Sequence, residues 1–227
     1  MQEMFSQRAT SGANALQINK VLRNTYSLLA ITLVVSAIAA GGAMALGLGR
    51  GIAMIMSFAG IGILWFVLPK FANSSAGIGI VFLFTALMGA SLGPMLTHYL
   101  ALPNGSAMVM QALGGTALVF FVLSGYVLTT GKNFSFMGGF LMVGLVVVVL
   151  ASLATFVAGF FGVNIGGIHV AISAMVVLLM SGFILFDTSR IIHGGETNYI
   201  MATVSLYLNI LNLFTSLLHL IGFLGDD

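Results

Sequence analysis

The sequence predicts an all-α membrane protein: a bundle of seven transmembrane helices with the seventh helix central. Hydrophobic residues make up 59% of the chain and charged residues only 5%, whereas about a quarter of the residues in a soluble domain are charged. The apolar stretches are long and continuous, which favours helices over the short alternating segments of a β-barrel. Polar residues in the final stretch share one helical face, which indicates that this helix is surrounded by others.

Seven apolar stretches are long enough to cross a bilayer, for which a helix needs about 20 residues. Gly, Pro, Asn and the few charged residues separate them. The predicted spans are residues 25–46, 52–69, 78–100, 107–130, 136–162, 167–189 and 199–224. The polar segment before the first span lacks the apolar core of a cleavable signal peptide. We therefore divide the chain into an N-terminal tail, 1–24, and a single transmembrane domain, 25–227.

The basic residues predict the orientation, because Lys and Arg concentrate in cytoplasmic loops. A cytoplasmic N-terminus leaves only Arg50 on the outer side and places the other basic residues inside, namely Arg8, Lys20, Arg23, Lys70, Lys132 and Arg190. The C-terminus would then be periplasmic in a bacterial inner membrane. The formal net charge of +2 is too small for a nucleic-acid-binding protein. The chain has no cysteine, which excludes disulfides and thiol chemistry.

Small residues and a proline mark the third predicted span. Gly89 and Gly93 form a GxxxG pair, a pattern that lets two helix backbones approach closely. Pro94 follows directly and is expected to kink the helix.

The end of the sixth span carries Asp187, Arg190, His193 and Glu196 at intervals of three residues. Asp187 and Arg190 would share a helical face and could form an ion pair. His193 and the two glycines after it predict the end of the helix, and Glu196 to Asn198 predict the start of the next one. These signals describe a well-capped cytoplasmic hairpin.

Asp187 lies about one helical turn inside the predicted cytoplasmic boundary. Partial burial disfavours a charged carboxylate, and a nearby Arg190 favours it. Two interpretations follow with equal weight: a pH-responsive latch or ion path, as ionisable groups at membrane depth often indicate, or a purely structural ion pair.

The seventh span carries a polar stripe, which consists of Ser205, Asn209, Asn212, Ser216 and His219. Their spacings of four, three, four and three residues place all of them on one helical face. Asn and His side chains among lipid tails would be costly, so this face must meet other helices or water. We favour interhelical hydrogen bonding, worth about 1 kcal/mol per group. The alternative is that the polar stripe lines a permeation or proton path.

The sequence does not predict an enzyme or a cofactor. It contains neither the HExxH zinc motif nor the GxSG serine motif. The histidines at 98, 169, 193 and 219 are dispersed along the chain, so we expect no metal site.

Several blocks resemble the Bax-inhibitor-type (transmembrane BAX inhibitor motif) family, and especially its proteobacterial YccA-like branch. The resemblance is carried by FDTSRIIHGGETNYI at 186–200 and SLYLNILNLF at 205–214, and the blocks HGGETNYI and ATVSLY are the specific ones. The likeness extends over the chain through KVLRNTYSLL at 20–29, ALGGTALVFF at 112–121 and AISA at 171–174.

The resemblance implies an inner-membrane protein that binds the membrane-anchored AAA protease FtsH, with its associated HflK/HflC proteins, and restrains its degradation of membrane substrates. The N-terminal tail would be the part that the cytoplasmic ATPase engages.

The resemblance also implies an alternative function, a pH-sensitive calcium or cation leak gated by two aspartates. Asp187 matches the first aspartate, but Asn209 stands at the second position. An Asp–Asn pair carries one charge and cannot share a proton as two carboxylates do. Because calcium prefers several hard oxygen ligands, this departure weakens the leak interpretation.

Overall fold

The computed structural model describes the backbone of residues 2–161 and 166–225 and the side chains of residues 16–159, 161 and 167–225. The chain is 88% helical, without a strand in these residues. The helices are α1 Gln2–Ala45, α2 Arg50–Gly62, α3 Leu68–Phe71, α4 Ser75–Ser91, α5 Gly93–Leu100, α6 Gly105–Thr130, α7 Gly138–Phe160, α8 Gly166–Ile192 and α9 Tyr199–Leu224.

Seven segments of the described chain are long and apolar enough to cross a membrane, and they confirm the predicted fold class. They are Leu16–Ala45, Arg50–Phe71, Ser75–Leu100, Gly105–Thr130, Ser135–Gly159, Gly167–Ile192 and Tyr199–Leu224. Helix α1 runs without a break from Gln2 to Ala45, through the predicted start of the first span at residue 25. The predicted tail is therefore helical from Gln2 onward. The division of the chain into an N-terminal tail, 1–24, and a transmembrane domain, 25–227, stays a prediction.

Two of the spans are interrupted helices. The third breaks at Leu92, between α4 and α5, as the neighbouring Pro94 predicts. The second contains a π-helical turn, Ile63–Val67, in which the backbone amide of Leu68 donates to the carbonyl of Ile63. Pro69 follows this turn and has no N–H to continue the α-helical pattern, which gives the interruption a local cause. The sequence analysis did not predict the π-helical turn.

The helices group into two compact units. The first unit comprises residues 1–94 and 190–207. Here α4 packs against α1 and α2, and the fully buried side chains include Leu29, Phe84 and, from the start of α9, Tyr207. The predicted GxxxG pair packs on α1: a Cβ at Gly89 would clash with the carbonyl oxygen of Ser36.

The second unit comprises residues 95–189 and 208–227. Its buried side chains come from α6, α7, α8 and the later part of α9, and include Ala112, Leu141, Ile184 and Leu213. The window of the fifth span is only 17% buried, and its exposed side chains are largely Val, Leu, Phe and Met. Such a surface is compatible with lipid rather than with water as its solvent.

The seventh span contributes to both units, since residues 199–207 of α9 belong to the first and residues 208–224 to the second. Half of its window is buried, the highest share among the spans of the described chain. This burial agrees with the predicted central position of the seventh helix.

Candidate functional site

The candidate site begins with a buried carboxylate on α8. Asp187 is 9% exposed and Asn209 on α9 is 7% exposed. The side-chain amide of Asn209 donates a hydrogen bond of 2.7 Å from Nδ2 to Oδ2 of Asp187. Both residues lie in the second unit, and the pair joins the consecutive helices α8 and α9. The structure thus brings together two of the residues singled out from the sequence.

The two residues after Asp187 are also buried and hydrogen-bonded. The hydroxyls of Thr188 and Ser124 on α6 are 3.2 Å apart. Ser189 accepts a hydrogen bond of 2.8 Å from the backbone amide of Phe134, in the loop before α7. The sequence analysis missed both contacts. The run Asp-Thr-Ser could have indicated them. Three consecutive polar residues point to different sides of a helix, so a buried helix that carries them needs polar partners on several sides.

The hairpin between α8 and α9 is built as predicted. Gly194 adopts a left-handed φ of +72°, a conformation that glycine adopts without strain, and α8 ends at Ile192. Asn198 then caps α9, because its Oδ1 accepts hydrogen bonds from the backbone amides of Ile200 at 2.9 Å and Met201 at 3.1 Å.

Polar contacts hold this hairpin within the first unit. Nη2 of Arg190 lies 3.4 Å from Oε2 of Glu196 in a half-exposed salt bridge. The side-chain amide of Asn198 donates to the carbonyl oxygen of Ala72 at 3.0 Å and to Oδ1 of Asn73 at 2.8 Å. The sequence assigned Glu196 to capping only; the pairing of Asp187 with Arg190 stays a prediction.

The polar stripe of α9 does not have one uniform environment. Asn209 and Ser216 are buried, Ser205 is half-buried, and Asn212 and His219 are exposed. The amide of Asn212 bonds the carbonyl oxygen of Leu208 in its own helix at 2.9 Å.

The later part of the stripe opens into a groove of about 850 Å³ in the second unit. Its walls come from α7, α8 and α9. The polar lining residues are Ser152, Thr155, His169, Ser173, Asn212, Thr215, Ser216 and His219. Among the described lining residues none is acidic. His169 and His219, which are 50 residues apart in the sequence, both line this groove.

The buried pair yields a stability prediction. Replacing Asn209 with alanine is expected to lower the free energy of unfolding by about 1–3 kcal/mol, because the buried carboxylate of Asp187 loses an amide donor. Replacing Asn212 with alanine is expected to change it by less than about 0.5 kcal/mol, since this exposed amide bonds only its own helix. Thermal denaturation of both variants in one detergent compares them. Equal losses in the two variants would contradict the assigned role of Asn209.

The chain has relatives along its whole length. Residues 18–226 match the family model described as Inhibitor of apoptosis-promoting Bax1. A membrane protein of Vibrio cholerae is 53% identical over 224 residues, which cover 99% of this chain and 98% of the relative. A Pseudomonas aeruginosa protein is 46% identical over 229 residues, with complete coverage of both chains.

One relative carries a functional name. The protein of Escherichia coli K12 named "Modulator of FtsH protease YccA" is 50% identical over 212 residues, which cover 93% of this chain and 94% of the relative. Its counterpart in another E. coli strain is named "Inner membrane protein YccA". The family match over residues 18–226 and these identities show that the chain belongs to the Bax-inhibitor family of membrane proteins.

Proposed function

We propose that this chain is a non-enzymatic inner-membrane protein that binds the membrane protease FtsH and restrains its degradation of membrane substrates. The observation that carries the proposal is the 50% identity, over nearly the whole of both chains, to the E. coli modulator of FtsH. Seven membrane-spanning helices would place the chain in the same bilayer as a membrane-anchored protease. We extend the proposed partners to the HflK and HflC proteins that associate with FtsH.

The N-terminal tail is the proposed contact for the protease's ATPase. In α1, residues 2–24 precede the predicted start of the first span at residue 25. A helical segment of this length extends about 35 Å at a rise of 1.5 Å per residue. It would project toward the cytoplasm in the proposed orientation, with the N-terminus cytoplasmic and the C-terminus periplasmic.

Affinity purification after crosslinking in native membranes tests this proposal. FtsH is expected to co-purify with the full chain, and deletion of residues 2–15 is expected to reduce its recovery strongly. This deletion keeps Val21, which is buried in the first unit. The Arg50→Gln variant is the control, because Arg50 starts α2 on the proposed periplasmic side of the membrane. Its recovery of FtsH is expected to be unchanged. Absence of FtsH from crosslinked full-chain samples would overturn the proposal.

A second candidate function is a pH-sensitive calcium or cation leak. The observation in its favour is the buried Asp187, which is connected by Asn209 to a polar stripe that continues into the groove at Asn212, Ser216 and His219. Asn209 weighs against it, because a single carboxylate attracts a divalent cation less than a pair does. The two functions are distinguished by measuring calcium flux into liposomes at several pH values, with the natural chain and with Asp187→Asn. Flux that depends on Asp187 supports the leak.

A further inference from the structure

We propose that the groove between α7, α8 and α9 is a binding site for one anionic phospholipid, with the headgroup phosphate beside His169 and His219. This ligand is separate from the protease partner and from the Asp187 pair. The proposal rests on the volume of the groove, the distribution of its polar groups, and the hydrogen-bond donors in its lining.

The volume of the groove fits an amphiphile. At about 850 Å³, it falls within the range of about 300–1,000 Å³ that is typical of small-molecule sites. That space holds a headgroup and much of one acyl chain.

Polarity changes along the groove in the way that a phospholipid requires. His169 and Ser173 lie near the start of the sixth span, and Ser216 and His219 lie near the end of the seventh. These are the same end of the membrane, because the two spans run in opposite directions. Toward mid-membrane the lining becomes mostly apolar, with Val148 and Met180, and Asn212 is its polar residue at that depth. A headgroup at the surface and a chain in the interior would match both parts.

Two hydroxyls of the lining are suited to a phosphate. Ser173 and Ser216 line the groove and are each 6% exposed. Each hydroxyl can donate a hydrogen bond to a phosphate oxygen.

The chemistry of the lining favours an anionic headgroup. Imidazoles, hydroxyls and one carboxamide can all donate hydrogen bonds to phosphate oxygens. The described lining has no carboxylate to pair with the ammonium group of a zwitterionic lipid. Phosphatidylglycerol therefore suits the groove better than phosphatidylcholine.

Quenching of a tryptophan by brominated lipid tests the site. The chain has a single tryptophan, so Trp65→Phe gives a silent background. Phe156→Trp then places a reporter in the groove, and Phe140→Trp places a control on the same helix, at a residue 75% exposed and outside the lining. Vesicles of phosphatidylcholine carry increasing amounts of brominated phosphatidylglycerol.

Quenching of the groove reporter is expected to saturate as brominated phosphatidylglycerol is added. Half-maximal quenching is expected at a mole fraction about fivefold lower than for the control reporter, because one net hydrogen bond supplies a preference of about this size. The double variant His169→Ala and His219→Ala is expected to abolish this preference. His98→Ala, which removes an exposed imidazole outside the groove, is expected to retain it. Ser152→Ala, at an exposed position, provides a milder variant with an intermediate preference if the double variant folds poorly.

Three outcomes would overturn the proposal. The first is equal quenching of groove and control reporters, which means ordinary lipid contact. The second is equal quenching by brominated phosphatidylcholine and phosphatidylglycerol, which removes the anionic preference. The third is reversal of the quenching by inorganic phosphate, which assigns the site to free phosphate.

Discussion

Replacement of Tyr207 with alanine is expected to lower the free energy of unfolding by about 3–5 kcal/mol, the usual cost of deleting a large buried aromatic side chain. Tyr207 is 0% exposed in the first unit. Its hydroxyl lies 2.8 Å from the hydroxyl of Ser36 and donates to the carbonyl oxygen of Thr85 at 3.3 Å. Its ring meets Phe84 edge-on, with the centroids 5.8 Å apart.

A conservative variant separates the ring from the hydroxyl. Tyr207→Phe keeps the packing and removes the hydrogen bonds, so a loss of about 1 kcal/mol is expected. Tyr126→Phe is the matched control, because Tyr126 is 41% exposed and its hydroxyl accepts from Lys132 at 2.9 Å. Unfolding in detergent, followed by circular dichroism, measures all three variants. A Tyr207→Ala variant as stable as the control would show that the first unit does not depend on this residue.

Replacement of Gly89 with alanine is expected to cost about 3 kcal/mol, at the upper end for overpacking a core. The added Cβ would clash with the carbonyl oxygen of Ser36 on α1. That oxygen belongs to the backbone, so it cannot move away as a flexible side chain could. Helices α1 and α4 would have to separate.

Gly79 on the same helix provides the opposite expectation. A Cβ there meets no atom within 4 Å, so Gly79→Ala is expected to stabilise the chain by as much as about 1 kcal/mol, through helix propensity alone. Melting temperatures of the two variants in one detergent should therefore shift in opposite directions. A shift of the same sign and size in both would contradict the close packing of α4 on α1.

Local signals allowed much of the fold to be predicted. Apolar length identified the seven spans, Pro94 marked the break in the third, and His-Gly-Gly marked the turn after α8. Each signal acts within a few residues of its effect, so one sequence suffices. The π-helical turn at Ile63–Val67 was missed, because Pro69 allows several local responses and the surrounding packing selects one of them.

The candidate site was predicted less completely. The family resemblance related Asp187 to Asn209, because it placed them at the positions of the two gating aspartates. The contact of Ser124 with Thr188 and the shared groove of His169 and His219 involve distant parts of the chain. Their residue types fit ordinary helix packing equally well, so no spacing within one segment distinguishes them. The groove needs three helices at once and has no signature in any one of them.

Degradation of a membrane substrate by purified FtsH in proteoliposomes tests the proposed regulatory role. The chain is reconstituted at increasing ratios to the protease, with the variant lacking residues 2–15 in parallel. The half-life of the substrate is expected to lengthen as the natural chain is added and to stay short with the truncated variant. An unchanged half-life at a large excess of folded natural chain would contradict the role proposed for this protein.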